Sequence, residues 1–174
     1  MKYYCTICSK EKRKDRELLP AIERYLSSRI KNVYEKASIG NTKFLIFLGE
    51  YGFIHPYSLI PYYDHLFLDK EIETFLPLLK QQNIFWEITD LDCFMEKENS
   101  PGWRAYYKML NRFAEEENIK IRFIYGVENL NGSEHFTYIQ IKGLNSIGKV
   151  LEQYEKLISD NLANINVEPL SYKL

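Results

Sequence analysis

The chain has 174 residues, 45 % of them hydrophobic and 27 % charged, with a formal net charge of −1. That is enough chain for one domain, residues 1–174, with a real core and no need of staples. The near-zero charge excludes a global field that would draw it to nucleic acid or a membrane surface, so any anion site must be a local cluster. No stretch approaches the roughly 18 apolar residues of a membrane helix, and no apolar run of a signal peptide opens the chain, so a cytoplasmic protein is expected. In a reducing compartment Cys5, Cys8 and Cys93 should be thiols.

In chain order, Lys2–Ile7 reads as a first strand. Cys8–Glu17 is polar and basic, and reads as a loop. Pro20 suits the first turn of a helix, in which Ile22, Tyr25, Leu26, Ile30, Val33 and Tyr34 recur at helical spacing and Gly40 stops the run. Phe44–Leu48 is a continuous apolar run, as expected of a strand buried on both faces. Gly49 and Gly52 punctuate the loop after it, and the two prolines of "HPYSLIPYYDHLF" make that segment irregular.

Lys70–Gln82 reads as a second helix, kinked or divided at Pro77. Ile84–Ile88 is the third strand expected, with "TDLD", Asp90 and Asp92 included, in the loop after it. Ser100 and Pro101 form an N-cap and N1 pair for a helix that turns Trp103, Tyr106, Tyr107, Leu110 and Phe113 inward. Lys120–Ile124 and "FTYIQI" are further strands, and Ile147–Leu162 is a closing helix. Alternating strands and helices predict an α/β three-layer sandwich with a mostly parallel central sheet of four or five strands.

Ligands of open parallel sheets bind beyond the carboxyl ends of the strands, which singles out the loops after the first three. Cys5-x-x-Cys8 has zinc-ligand spacing, but a structural zinc site needs four ligands and no second pair is present in the sequence. A redox pair should open a helix, and this one precedes a loop. No metal or cofactor is therefore expected. Ser9, Lys10, Lys12, Arg13, Lys14 and Arg16 lie between a strand and a helix, where cations and backbone N–H groups favour an anion; a solvated charged turn is the competing reading. The loop lacks the glycines of a Walker motif. In the second loop, tyrosine faces such as Tyr51 can stack on a planar base, and Asp64 and His65 are candidates for acid, base or hydrogen-bond partners; a packed aromatic loop is the competing reading. Asp90 and Asp92 could hold a hard cation, although helix capping suits one of them better.

"CSKEK" at Cys8–Lys12, followed by a helix, an apolar strand, "LGEYGFI" and "IPYYDH", resembles an uncharacterised bacterial and phage domain family. Its members carry Cys-Ser-x-x-Lys or Cys-Ser-Lys-x-Lys after a first strand, then a Tyr-Gly turn and a Pro-Tyr-Asp segment. That family is distantly similar to the amidotransferring domain of archaeosine synthase, in which a lysine of such a motif attacks a 7-deazaguanine base. The resemblance covers roughly the first half of the chain. It implies Lys12 as the motif lysine, Cys8 and Ser9 before it, Tyr51 and Gly52 in the turn, and Asp64 as the Pro-Tyr-Asp aspartate. The synthase's Pro-Tyr-Ser continuation is replaced here by Arg13-Lys14-Asp15.

The expected site is one pocket shared by the first two loops. Lys12 acts as nucleophile or electrostatic clamp, Asp64 with His65 as acid/base pair, and Cys8, Ser9, Lys10, Glu50, Tyr51 and Gly52 bind the ligand. The partner is a small anionic or planar, nucleotide-like molecule, with nucleic acid left open and a membrane excluded. The function is that of a domain acting on or binding a nucleobase, nucleotide or modified base. The alternative is a non-catalytic interaction module.

Overall fold

The computed structural model describes residues 1–96, 101–125 and 136–140. The helix expected over Ile147–Leu162 and the cap at Ser100 lie outside the described residues. Strands β1 (Lys2–Ile7), β3 (Lys43–Leu48), β6 (Asp90–Phe94), β7 (Lys120–Tyr125) and β8 (Phe136–Gln140) pair in parallel, and β4 (Gly52–Ile54) adds antiparallel to β3. The sheet order is β4-β3-β1-β6-β7-β8. The mostly parallel sheet is as expected; the antiparallel edge strand takes it to six strands. A separate two-residue ribbon pairs β2 (Leu19–Pro20) with β5 (Leu59–Ile60).

Helices cover both faces. Tyr3, Cys5 and Ile7 of β1 point into a core shared with α3 (Ile72–Trp86) and α4 (Arg104–Glu117). Tyr4 of the same strand points the other way, toward α1 (Ala21–Arg24) and α2 (Ser28–Ile39). The period of two along β1 thus feeds two cores, which is why its apolar run is continuous. In α2 the buried positions Ile30, Val33 and Ala37 recur at helical spacing, and Gly40 closes the helix by donating to the Lys36 carbonyl at 3.0 Å.

Four expectations are corrected. The first helix is not continuous: Tyr25 and Ser27 are extended, so α1 and α2 are separate. The break lets residues 24–26 run beside the basic loop, with Arg13 N–H donating to the Arg24 carbonyl at 2.7 Å and Leu26 N–H to the Glu11 carbonyl at 3.1 Å. Second, Pro77 does not divide α3, because Pro77 and Glu73, the residue whose carbonyl it cannot bond, are both exposed. Third, Ile84–Ile88 is not a strand. Ile84 and Phe85 are surface residues of the last turn of α3, 81 % and 76 % exposed, and the turn is closed by left-handed Glu87 and by Asn83 Oδ1 accepting from Ile88 N–H at 2.8 Å. A short apolar run cannot by itself distinguish strand from helix. The strand is Asp90–Phe94, so "TDLD" belongs to the sheet instead of a loop. The next helix likewise starts at Arg104, three residues after Pro101.

Gly52 is required twice over at the start of β4. Its φ is +73°, and a Cβ there would lie 2.2 Å from Gln82 Oε1. Gln82 of α3 lies along this edge strand, accepting from Phe53 N–H at 2.8 Å and donating to the Tyr51 carbonyl at 2.7 Å. Among the described residues, no helix is long and apolar enough to cross a membrane.

Candidate functional site at the carboxyl edge of the sheet

The winding of the sheet reverses at β1. From β1 the chain crosses by α2 to β3 on one side; from β3 it crosses by α3, on the opposite face, to β6 on the other side. The loops leaving β1 and β6 therefore diverge, and such a switch point is where open α/β sheets bind ligands. Cys8 stands there. It is the first residue after β1, its N–H donates to the Phe47 carbonyl at 2.9 Å, and it packs against both cores.

Three tyrosines gather near Cys8. Tyr106 of α4 places its hydroxyl 3.3 Å from Cys8 Sγ. The same hydroxyl lies close to Gly49. Tyr63, from the second loop, hydrogen-bonds to the Tyr25 hydroxyl. Burial and the nearby Cys8 push the Tyr25, Tyr63 and Tyr106 hydroxyls far above the ordinary phenol value, so all three keep their protons. Gly49 makes this approach possible: a Cβ there would lie 2.5 Å from Phe67 Cβ and 2.9 Å from the Tyr106 hydroxyl.

Lys12 joins the cluster from above. Its ammonium lies 4.7 Å from the centre of the Tyr63 ring and 5.8 Å from that of Tyr25. Among the described residues no carboxylate pairs with it; its one polar contact is the Lys10 carbonyl at 3.5 Å. The first and second loops therefore meet, through Lys12 on Tyr63 and Cys8 beside it. Tyr51 packs edge-on against Tyr63, with ring centres 5.3 Å apart.

Two arginines that sequence reasoning missed hold this arrangement. Arg29 of α2 donates from Nε to Thr6 Oγ1 at 3.0 Å and from a terminal nitrogen to the Ile7 and Cys8 carbonyls at 2.9 and 3.2 Å, with its guanidinium 4.7 Å from the centre of the Trp103 ring. Burial lowers its pKa, against the opposing pull of Glu96 and Cys8. Arg24 is fully buried and donates to the carbonyls of Arg13, Asp15, Glu17 and Ile60. It threads the basic loop onto the body of the protein, and its Nε is buried without a partner. Both arginines sit in the helical stretch, where nothing in the local sequence marks them out.

The remaining expected residues divide. Ser9 turns back on its own loop, its hydroxyl accepting from Glu11 N–H at 3.2 Å, and Lys10 is exposed. Gly52 serves the edge strand β4. Asp64 is exposed next to Tyr63. His65 is not its acid/base partner: Nδ1 is taken by Glu50 and Nε2 by Glu71 at 2.7 Å. Burial alone would lower the His65 pKa, but the two carboxylates outweigh it and raise it. Glu71 also accepts from Leu68 N–H at 2.8 Å, so His65 and Glu50 clip the second loop to the start of α3.

The other polar groups read from the sequence are closed on themselves. Asp92 is fully buried in β6 and pairs with Lys2 at 3.1 Å and with Arg122, which also reaches Asp90. Cys5 and Cys93 lie opposite each other in β1 and β6, both buried, and the Cys93 thiol is pushed well up by burial and by Cys5. Among the described residues, no three His, Cys, Asp or Glu side chains are grouped so as to hold a metal ion. Compared with models of known families, with curated proteins and with solved structures, the chain shows no match.

Proposed function

We propose that the protein binds a planar, anionic, nucleotide-like ligand — a nucleobase, nucleotide or modified base — at the carboxyl edge of the sheet around Cys8, Lys12 and Tyr63. The observation that carries this reading is Lys12 of the first loop over the Tyr63 ring of the second, at the switch point of the sheet. A cation beside aromatic faces, with no carboxylate partner among the described residues, supplies the two contacts such a ligand needs, charge and stacking. The resemblance of "CSKEK" and "IPYYDH" to the lysine-bearing domain family points to the same class of ligand.

Binding without catalysis is the second reading. It is favoured by His65, whose two nitrogens are held by Glu50 and Glu71 and so are not free to move a substrate proton.

Isothermal titration with GMP, AMP and free guanine tests the proposal. Lys12→Ala should weaken binding about tenfold, near the 1.4 kcal/mol expected of one charged contact, with the melting temperature nearly unchanged. Affinity that survives Lys12→Ala, or no binding of any of the three at millimolar concentration, sinks the reading.

A further inference from the structure

We infer that His65 is a proton-operated latch: its imidazolium fastens the second loop to the turn after β3, and loss of that proton frees the two tyrosine faces of the site from each other. The latch belongs to the protein alone; its effect on a ligand rests on the nucleotide-like site proposed for this edge of the sheet.

The geometry sets the charge. His65 faces a carboxylate oxygen at each ring nitrogen, Glu50 at Nδ1 and Glu71 at Nε2, the latter at 2.7 Å. A carboxylate only accepts. A neutral imidazole has one N–H and one lone pair, so it donates to one of the two and turns its lone pair on the other. Both contacts are satisfied only when the three groups together hold one further proton, on the ring or on a carboxyl. The two carboxylates outweigh the effect of burial and strengthen the hold of the ring on that proton. Of the remaining charged groups near the loop, Asp69 pairs with Lys108 of α4, Lys12 of the first loop stands over the Tyr63 ring, and Asp64 and Lys70 are exposed.

The two contacts are not equal. Glu71 is held at its other oxygen by Leu68 N–H at 2.8 Å, at the entry to α3. Glu50 lies in a turn and is the more exposed carboxylate, so it is the partner released to water when the proton leaves. Glu50 stands between Gly49, which abuts Phe67 of the second loop, and Tyr51, whose ring packs on Tyr63 with centres 5.3 Å apart. His65 follows Tyr63 by two residues. The Glu50–His65 contact therefore closes the same junction as the Tyr51–Tyr63 ring pair, and Lys12 stands on that junction. Opening it removes the fixed face against which a planar base would stack. The folded-state pKa of His65 is raised, so the latch is closed below that value and opens as pH rises through it.

Nuclear magnetic resonance of the ligand-free protein tests this. Titration of the His65 ring should give a midpoint above the ordinary histidine value of about 6.5, and Glu50→Gln should bring that midpoint down. Overhauser cross-peaks between the Tyr51 and Tyr63 rings should be present below the His65 midpoint and weaken above it. In Glu50→Gln they should persist at high pH, because the introduced amide donates to the lone pair of the neutral ring while the other nitrogen donates to Glu71. A midpoint at or below the ordinary value overturns the inference, and so do Tyr51–Tyr63 cross-peaks that pass unchanged through it. Both readings come from the wild-type protein, so a misfolded variant does not shelter the proposal. Coupled titration in a protein that binds no GMP keeps the latch and loses the nucleotide; GMP binding with cross-peaks unchanged by pH keeps the site and loses the latch.

Discussion

Two polar clusters border the same strand, β1, and they are built on opposite plans. At its amino end, Lys2 and Arg122 enclose the buried carboxylate of Asp92, with Asp90 taking the remaining arm of the guanidinium. Charges there are matched. At its carboxyl end, Cys8, Lys12, Tyr63 and Tyr106 are gathered with cations above and beside them and no carboxylate on Lys12 among the described residues. Neutralised charge inside a sheet holds strands in register; at the edge where loops diverge, the Lys12 ammonium meets aromatic rings and, among the described residues, no carboxylate. The contrast shows why a pair of aspartates in the sequence was a poor guide to chemistry. Their partner, Arg122, lies 30 residues after Asp92, in the next strand.

The contrast breaks most sharply at Asp92. Replacing it by Ala leaves Lys2 and Arg122 without their shared carboxylate and should cost about 3 kcal/mol of unfolding free energy, read from urea denaturation. A cost near zero would mean the amino-end cluster is as open as the other. Next, Gly49→Ala places a methyl group where Phe67 and the Tyr106 hydroxyl already sit. It should cost about 2 kcal/mol through overpacking, read from urea denaturation. A cost near zero would mean that Phe67 and Tyr106 yield to the added methyl group without loss.

The smallest effect concerns His65. Its folded-state pKa is raised, so its contribution to stability is full below the unfolded value of about 6.5 and is lost as pH rises through the folded value. Wild type should lose about 0.5 kcal/mol more than His65→Gln between pH 6 and pH 9, the small size reflecting the exposure of Glu50. Equal losses in the two proteins would remove the clip from the stability of the second loop.

The sheet was legible wherever strands are buried on both faces. Lys2–Ile7, Phe44–Leu48 and Lys120–Ile124 carry continuous apolar runs or strict alternation, and they are strands. It was illegible where an apolar run is exposed. Ile84 and Phe85 decorate a helix end, and the strand just after it hides an aspartate whose charge is met only in three dimensions. The site was legible as two loops, because their carboxyl-edge position comes from topology. It was not legible as a set of partners. Tyr25 sits in a helical pattern that the basic loop interrupts by pairing with it, and Tyr106 reads as one more inward aromatic of α4. Nothing local tells which core tyrosine will end at a sulfur.

One side chain on α3 has a bearing on how this protein behaves in company. A sheet edge ordinarily offers its spare backbone groups to any passing strand, and chains commonly guard such edges with charge or proline. Here Gln82 lies on the rim of β4, its amide occupying the Phe53 N–H and the Tyr51 carbonyl as a neighbouring strand would. A glutamine thereby imitates one residue of a strand that is not there, and growth of the sheet by self-association past β4 must first displace it.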